Sequence, residues 1–162
     1  MADVYQFRLA NEGDLEQLYT WTRALMDHEA IEKSLELPLK PDVDEKLKEW
    51  ISALIANDSA LFIIAEDESG QAYGCVLGLI QLAPNDFIDM TMHGIIQMVW
   101  VEPETRRTGL AAQLVEHMES TFKNLQIPYC EISYSITNDE ARGFWQSVGY
   151  APISQTCRKF LN

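Results

Sequence analysis

Arg106-Arg107-Thr108-Gly109-Leu110-Ala111-Ala112 is the one place in the chain where two arginines adjoin, and a helical apolar pattern follows it directly. Those residue types in that order suit an anion. The first N–H groups of a helix lack partners within it and converge on an oxygen, and the helix dipole favours negative charge there. Small residues at Gly109, Ala111 and Ala112 let a bulky diphosphate reach the backbone. The stretch is not a Walker loop, since no Gly-Lys-Ser/Thr follows, nor a dinucleotide fingerprint, since Gly-x-Gly-x-x-Gly is absent. Taken alone, the same residues also suit an ordinary turn with solvated arginines. A second group is acidic. Asp27, Glu29, Glu32 and Glu36 fall within residues 27–40, where carboxylates would attract an ammonium ion or simply face solvent. His93, a candidate for proton transfer, and His117, off the apolar stripe of its helix and expected to be exposed, each stand alone. No His-Glu-x-x-His or comparable spacing suggests a metal.

Gly94 to Val101 is rich in β-formers and ends at Glu102-Pro103, so it reads as a central strand feeding the arginine loop. Leu110, Leu114, Met118, Phe122 and Leu125 then recur at three and four, which predicts an amphipathic helix beginning near Thr108. Tyr129 to Ser135 alternates as a strand, Asn138 to Val148 reads as a short helix closed by Gly149, and Gln155 to Leu161 as a last strand. Upstream, Tyr5, Phe7 and Leu9 alternate before the turn Asn11-Glu12-Gly13. Leu15, Leu18, Tyr19, Thr22, Leu25 and Met26 then mark a helix, with Asp14 and Gln17 as a capping-box-like start. Residues 27–40 read as a connection, and a second helix opens at Pro41 with Val43, Leu47, Trp50, Ile51, Leu54 and Ile55 as its buried stripe. Leu61–Glu66 and Ala72–Leu82 form a hairpin through Asp67–Gly70. The order β-α-α-β-β-β-α-β-α-β predicts an α/β class, an α+β mixed sheet flanked by helices.

The chain's 162 residues suit a single domain over residues 1–162, and 47% hydrophobic with 23% charged residues is an ordinary globular composition. A net charge of −13 repels phosphate backbones and anionic lipid, which excludes nucleic acid and membrane as general partners. Cys75, Cys130 and Cys157 are odd in number and contain no CxxC pair, as expected of reduced thiols in the cytoplasm. The first residues lack the basic start and apolar core of a signal peptide, and no apolar run is long enough to span a bilayer.

Asn138-x-x-Ala141-x-x-Phe144-Trp145-x-x-x-Gly149-Tyr150 supplies a second pattern, and together with Arg106-x-x-Gly109-x-Ala111 it resembles the GNAT superfamily of N-acetyltransferases over essentially the whole chain. The resemblance implies a GNAT-like central mixed sheet. It also implies that the loop and helix start at Arg106, Arg107, Thr108, Gly109, Leu110, Ala111 and Ala112 hold the acetyl-CoA pyrophosphate. The backbone of Val99-Trp100-Val101 would pair with the pantetheine arm, and Asn138 and Trp145 would face the cofactor.

In many members the aromatic after Phe144 is a tyrosine that protonates the departing thiolate; here it is Trp145, whose indole N–H is no acid near neutral pH. Where some members carry a glutamate base stands Ile95, so no catalytic acid or base is inherited. Ser133, Tyr134 and Ser135 are near enough to substitute for the tyrosine, and nothing in the sequence selects among them. Trp145 is equally suited to be a core aromatic. By the resemblance, a neutral amine attacks the acetyl carbonyl directly, without a covalent enzyme intermediate or a metal, and strand N–H groups polarise the carbonyl. The acceptor is a small-molecule amine or an amino terminus, with Asp27, Glu29 and Glu32 bordering it, and a homodimer is compatible with the chain. Two other readings stand beside this one: a non-catalytic acyl-CoA-binding protein of the same fold, and an acyltransferase using a longer acyl donor or a hydroxyl acceptor.

Overall fold

Phe62, Ile63, Ile64 and Ala65 are all buried, so the strand that carries them must be covered on both faces. That strand, β2 (Ala60–Glu66), lies second in a five-stranded sheet of order β1-β2-β3-β4-β5, with β1 (Gln6–Leu9), β3 (Ala72–Leu82), β4 (Met92–Val101) and β5 (Cys130–Ile132). The computed structural model describes residues 4–32, 37–89 and 92–161. Strands β1 to β4 pair antiparallel, and β5 runs parallel to β4.

Helices α1 (Leu15–Glu32) and α2 (Val43–Ile55) cover one face of the sheet, and α3 (Leu110–Asn124) and α4 (Asp139–Ser147) the other. Period-two alternation divides the apolar residues between two cores. Phe62, Ile64, Cys75, Leu77 and Met98 meet Leu18 and Trp21 of α1 and Ile51 of α2. Ile63, Ala65, Val76, Ile96 and Val101 meet Leu114, Met118 and Phe122 of α3 and Trp145 of α4. Gly78 and Gly94 let α3 lie close: a Cβ on Gly94 would sit 2.7 Å from the Phe122 ring, and one on Gly78 would collide with Met118.

Several expectations are corrected. The segment 27–32 continues α1 rather than opening a connection, so Asp27 and Glu29 are helical; its acids gave no apolar period to extend the helix by, yet acids are tolerated on an exposed helical face. Glu32 ends that helix, and Glu36 lies outside the described residues. The helix start is capped not by Asp14 with Gln17 but by Asn11 and Asp14, which box a short 3-10 turn ahead of α1. The second helix begins at Val43, after a turn at Pro41-Asp42. Trp50 is 38% exposed and leaves the buried stripe of α2, because Leu47, Ile51 and Leu54 already fill the side that faces the sheet. Trp21, absent from the predicted stripe, is buried. Leu125 caps α3 and is exposed, and His117 is half-buried, stacked on Phe7 at 4.9 Å. Strand β5 is confined to three of the seven residues expected. Residues 155–161 form no strand: a strand exists only against a partner, and this segment has no ladder within the chain and is exposed throughout.

Candidate functional site

The register between β3 and β4 slips by one residue, from Leu77 opposite Met98 to Gly78 opposite Ile96. Gln97 is the surplus residue, an exposed β-bulge, and it has two effects. Ile96 and Met98, two apart, face opposite cores. The pairing with β5 also ends at Ile96 opposite Ile132, so Met98 to Val101 run on with no strand paired on that side.

Peptide directions follow from the bonds at each end. Gly94 N–H donates to the Tyr129 carbonyl on the β5 side at 2.9 Å, and Glu102 N–H donates to the Tyr73 carbonyl on the β3 side at 2.8 Å. Alternation back from Glu102 turns the peptide groups of Val99 and Val101 away from β3, into the gap that β5 leaves. The unpaired stretch of β4 thus edges a crevice with backbone donors and acceptors, beginning where the pairing with β5 stops.

The loop between β4 and α3 closes one end of that crevice. Pro103–Thr105 forms a 3-10 turn in which Thr105 N–H and Oγ1 both donate to the Glu102 carbonyl, at 2.9 and 3.0 Å. Thr108 Oγ1 donates to the Thr105 carbonyl at 2.6 Å. Arg107 and Gly109 take left-handed backbone conformations, φ 64° and 89°, the second a region where a side chain is strained. Gly109 is the N-cap of α3, no side chain caps it, and no acid sits in the first turn, so the leading N–H groups from Leu110, Ala111 and Ala112 are left for an anion.

The two arginines differ. Arg106 lays its guanidinium over the Trp100 ring at 5.0 Å and donates from Nε to the Val101 carbonyl at 3.2 Å, tying the loop to the end of β4. Arg107 is exposed, and neither arginine pairs with an acid among the described residues. The Trp100 indole Nε1 is buried without a partner. Behind the loop, Trp21 of α1 donates to Glu102 Oε1 at 2.6 Å, a link between the helices of one face and the loop.

Asn138 is the N-cap of α4 and accepts from Ala141 N–H at 3.0 Å, so its carbonyl oxygen already has a backbone duty. Trp145 is 8% exposed, edge-on to Phe144 and Tyr150 at 5.0 and 5.2 Å: a core aromatic by its packing. Tyr150 donates to Glu119 Oε1 at 3.0 Å, and burial, with Cys130 and Glu119 adding to it, raises its phenol far above the usual range. It is a poor proton donor. His93 is 7% exposed and stacked on Tyr129 at 5.3 Å, its Nδ1 unpartnered. Asp27 is held by Arg23 at 2.7 Å, and Arg23 also reaches Asp44 at 3.1 Å, so part of the acidic charge of α1 is offset. Among the described residues no group of three metal-ligating side chains occurs. The structure therefore gathers Val99, Trp100, Val101 and residues 106–112 at one crevice. Gln97, at its origin, was missed, and the only sequence signal was a polar residue interrupting an apolar run.

The profile of the Acetyltransferase (GNAT) family matches residues 16–150, and the chain belongs to that family of acetyltransferases. Solved structures agree on the fold. A predicted acetyltransferase with acetyl-CoA from Clostridium acetobutylicum superposes with TM-score 0.77 at 18% identity, covering 97% of this chain and 96% of that one. The aminoglycoside 6'-N-acetyltransferase AAC(6')-IG from Acinetobacter haemolyticus gives TM-score 0.75 at 16% identity, over 97% and 98% of the two chains. Aminoglycoside N-acetyltransferase AAC(6')-Iy in complex with CoA gives 0.78 at 17% identity, over 99% and 97%.

Proposed function

We propose that this protein transfers the acetyl group of acetyl-CoA to the amine of a small, cationic molecule or an amino terminus. The observation that carries the reading is the crevice beside Val99 and Val101, opened by the Gln97 bulge and closed by the uncapped start of α3. Its parts fit the parts of acetyl-CoA. The α3 N–H groups and Arg107 suit the pyrophosphate, and the Val99–Val101 edge suits the amides of the pantetheine arm. The Val99 N–H suits the thioester oxygen, where negative charge grows during attack.

The reaction this arrangement supports is direct. The amine nitrogen bonds to the acetyl carbon, the C–S bond breaks, the nitrogen sheds a proton to water, and the thiolate takes one from water. Gln97 has a carboxamide that can orient the amine by hydrogen bonding but cannot take its proton. The chain thus supplies position and polarisation more than acid–base chemistry, so turnover should climb with pH as the acceptor ammonium deprotonates.

Thiol release from acetyl-CoA, measured against a panel of basic, neutral and acidic amines, tests the proposal. Free CoA should appear with basic amines and increase with pH. A protein that binds acetyl-CoA yet releases no thiol with any amine would be an acyl-CoA-binding protein without turnover. Release with alcohols alone would point to a hydroxyl acceptor.

A further inference from the structure

Along β5, Cys130 and Ile132 pack against the core beneath α3 and α4, so alternation turns Tyr129 and Glu131 to the opposite face of the sheet. Gly94 and Ile96 do the same on β4 and leave His93 and Ile95 on that face. The parallel register puts Gly94 opposite Cys130 and Ile95 opposite Glu131. Two rows result. His93 and Tyr129 stack at 5.3 Å with their planes 7° apart, and Ile95 and Glu131 stand side by side one row nearer the crevice. Beyond that row come Gln97 and Ser133, both exposed, where the pairing of β4 with β5 has stopped.

Ile95 and Tyr129 are half-buried yet pack into neither core, so this corner is an apolar shelf beside the crevice and not part of the interior. Glu131 is half-buried too, and its carboxylate has no ion pair among the described residues. A carboxylate partly withdrawn from water without a counter-ion costs stability, and a cation arriving from outside recovers that cost.

We propose that Glu131 receives the second ammonium of a diamine acceptor whose other nitrogen is acetylated in the crevice. This inference rests on the acetyl-transfer reading above. A thioester oxygen on Val99 N–H puts the attacked carbon near Gln97 and Val99. Glu131 lies one row behind it, about 6–7 Å or two strand residues, a gap that an extended chain of about four carbons spans. Ile95 offers that chain an apolar surface. The His93–Tyr129 stack stands in the row beyond Glu131, so longer chains meet a wall. Glu131 also keeps the nitrogen it binds charged, while the other nitrogen, facing the neutral backbone of the crevice, is the one free to deprotonate.

Steady-state kinetics with thiol detection, over a series of α,ω-diamines and their matched monoamines, tests the proposal together with calorimetry on the CoA-loaded protein. The four-carbon diamine should exceed butylamine in kcat/KM by roughly tenfold or more, with shorter and longer diamines behind it. Glu131→Gln should remove that preference mainly by raising KM for the diamine. It should leave CoA affinity as it is and melt no lower than the parent, since the carboxylate it replaces has no ion pair to lose. A preference that survives in Glu131→Gln overturns the proposal. So does a parent that treats diamine and monoamine alike, or a variant that melts lower and loses both acceptors equally, which would mark Glu131 as structural. If no amine releases thiol, calorimetry separates the two readings. A diamine that binds the parent and not Glu131→Gln keeps this site while acetyl transfer falls, and a diamine that binds neither removes the site as well.

Discussion

Arg106 meets its surroundings through a stacked ring and a carbonyl rather than through an acid, and this changes what its substitution should do. A purely electrostatic contributor would be replaced by lysine with little loss. A planar guanidinium that both stacks on Trp100 and donates to Val101 would not, because an ammonium has neither the plane nor the fixed fork. Arg106→Lys and Arg106→Ala should therefore both weaken CoA binding in calorimetric titration, each by roughly tenfold, about 1.4 kcal/mol. Gly109→Val should weaken it further, since Val at φ 89° is strained and its side chain points into space that a diphosphate would use. Equal affinity for CoA in all three variants would remove the phosphate site from this loop. The sequence displayed the residue types at this loop plainly. It could not display that only one of the two exposed arginines is a strut, because that difference depends on a strand five residues earlier.

At the scale of elements, the turn before α1 holds a concentrated set of bonds. Asp14 accepts from Arg8 at 2.8 and 2.9 Å and from Asn11 N–H at 2.8 Å, while Arg8 Nε reaches Glu66 at 2.8 Å, so β1, β2 and α1 are tied at one point. The Arg8 guanidinium holds the Asp14 carboxyl below its ordinary range against the opposing effect of partial burial. A carboxyl depressed in the native state stabilises above its unfolded pKa, and that stability is lost as pH falls through the native value. Asp14→Asn should cost about 1–2 kcal/mol at pH 7, a fall in Tm of roughly 3–6 °C. The two melting curves should converge below about pH 4; a constant gap at every pH would assign the loss to packing instead. Elements with strong apolar periods, such as α3 and the β2–β3 hairpin, were legible in the sequence nearly to the residue. The extension of α1 through Asp27 and Glu29 was not, since an exposed helical face leaves no apolar period. Residues 155–161 and the bulge were illegible for a different reason, because both depend on which partner a strand finds.

Taken as a whole, the molecule is an acidic body with a crevice edged by neutral backbone and bordered by basic side chains at one end. If the acceptor is cationic, its long-range attraction comes from the sum of exposed carboxylates and not from one ion pair. The Michaelis constant for a basic amine should then rise with added salt. Changing Asp27→Asn, Glu29→Gln and Glu32→Gln together should raise it several-fold with CoA affinity unchanged, both measured by steady-state kinetics with thiol detection. An unchanged constant would leave those acids as plain surface, a result the Arg23 pair to Asp27 already makes intelligible. The crevice itself depends on a count rather than on a side chain. Deleting Gln97 would make Ile96 and Met98 neighbours, and because adjacent residues of a regular strand face opposite sides, both halves of β4 would keep their present cores while the bulge disappears. Regular pairing of β4 thus needs the loss of one residue and no repacking of either core, so a Gln97-deleted chain should keep its fold and bind CoA more weakly. The opening is kept by arithmetic: one residue too many in β4, in a strand whose apolar residues on either side are already arranged as though it were not there.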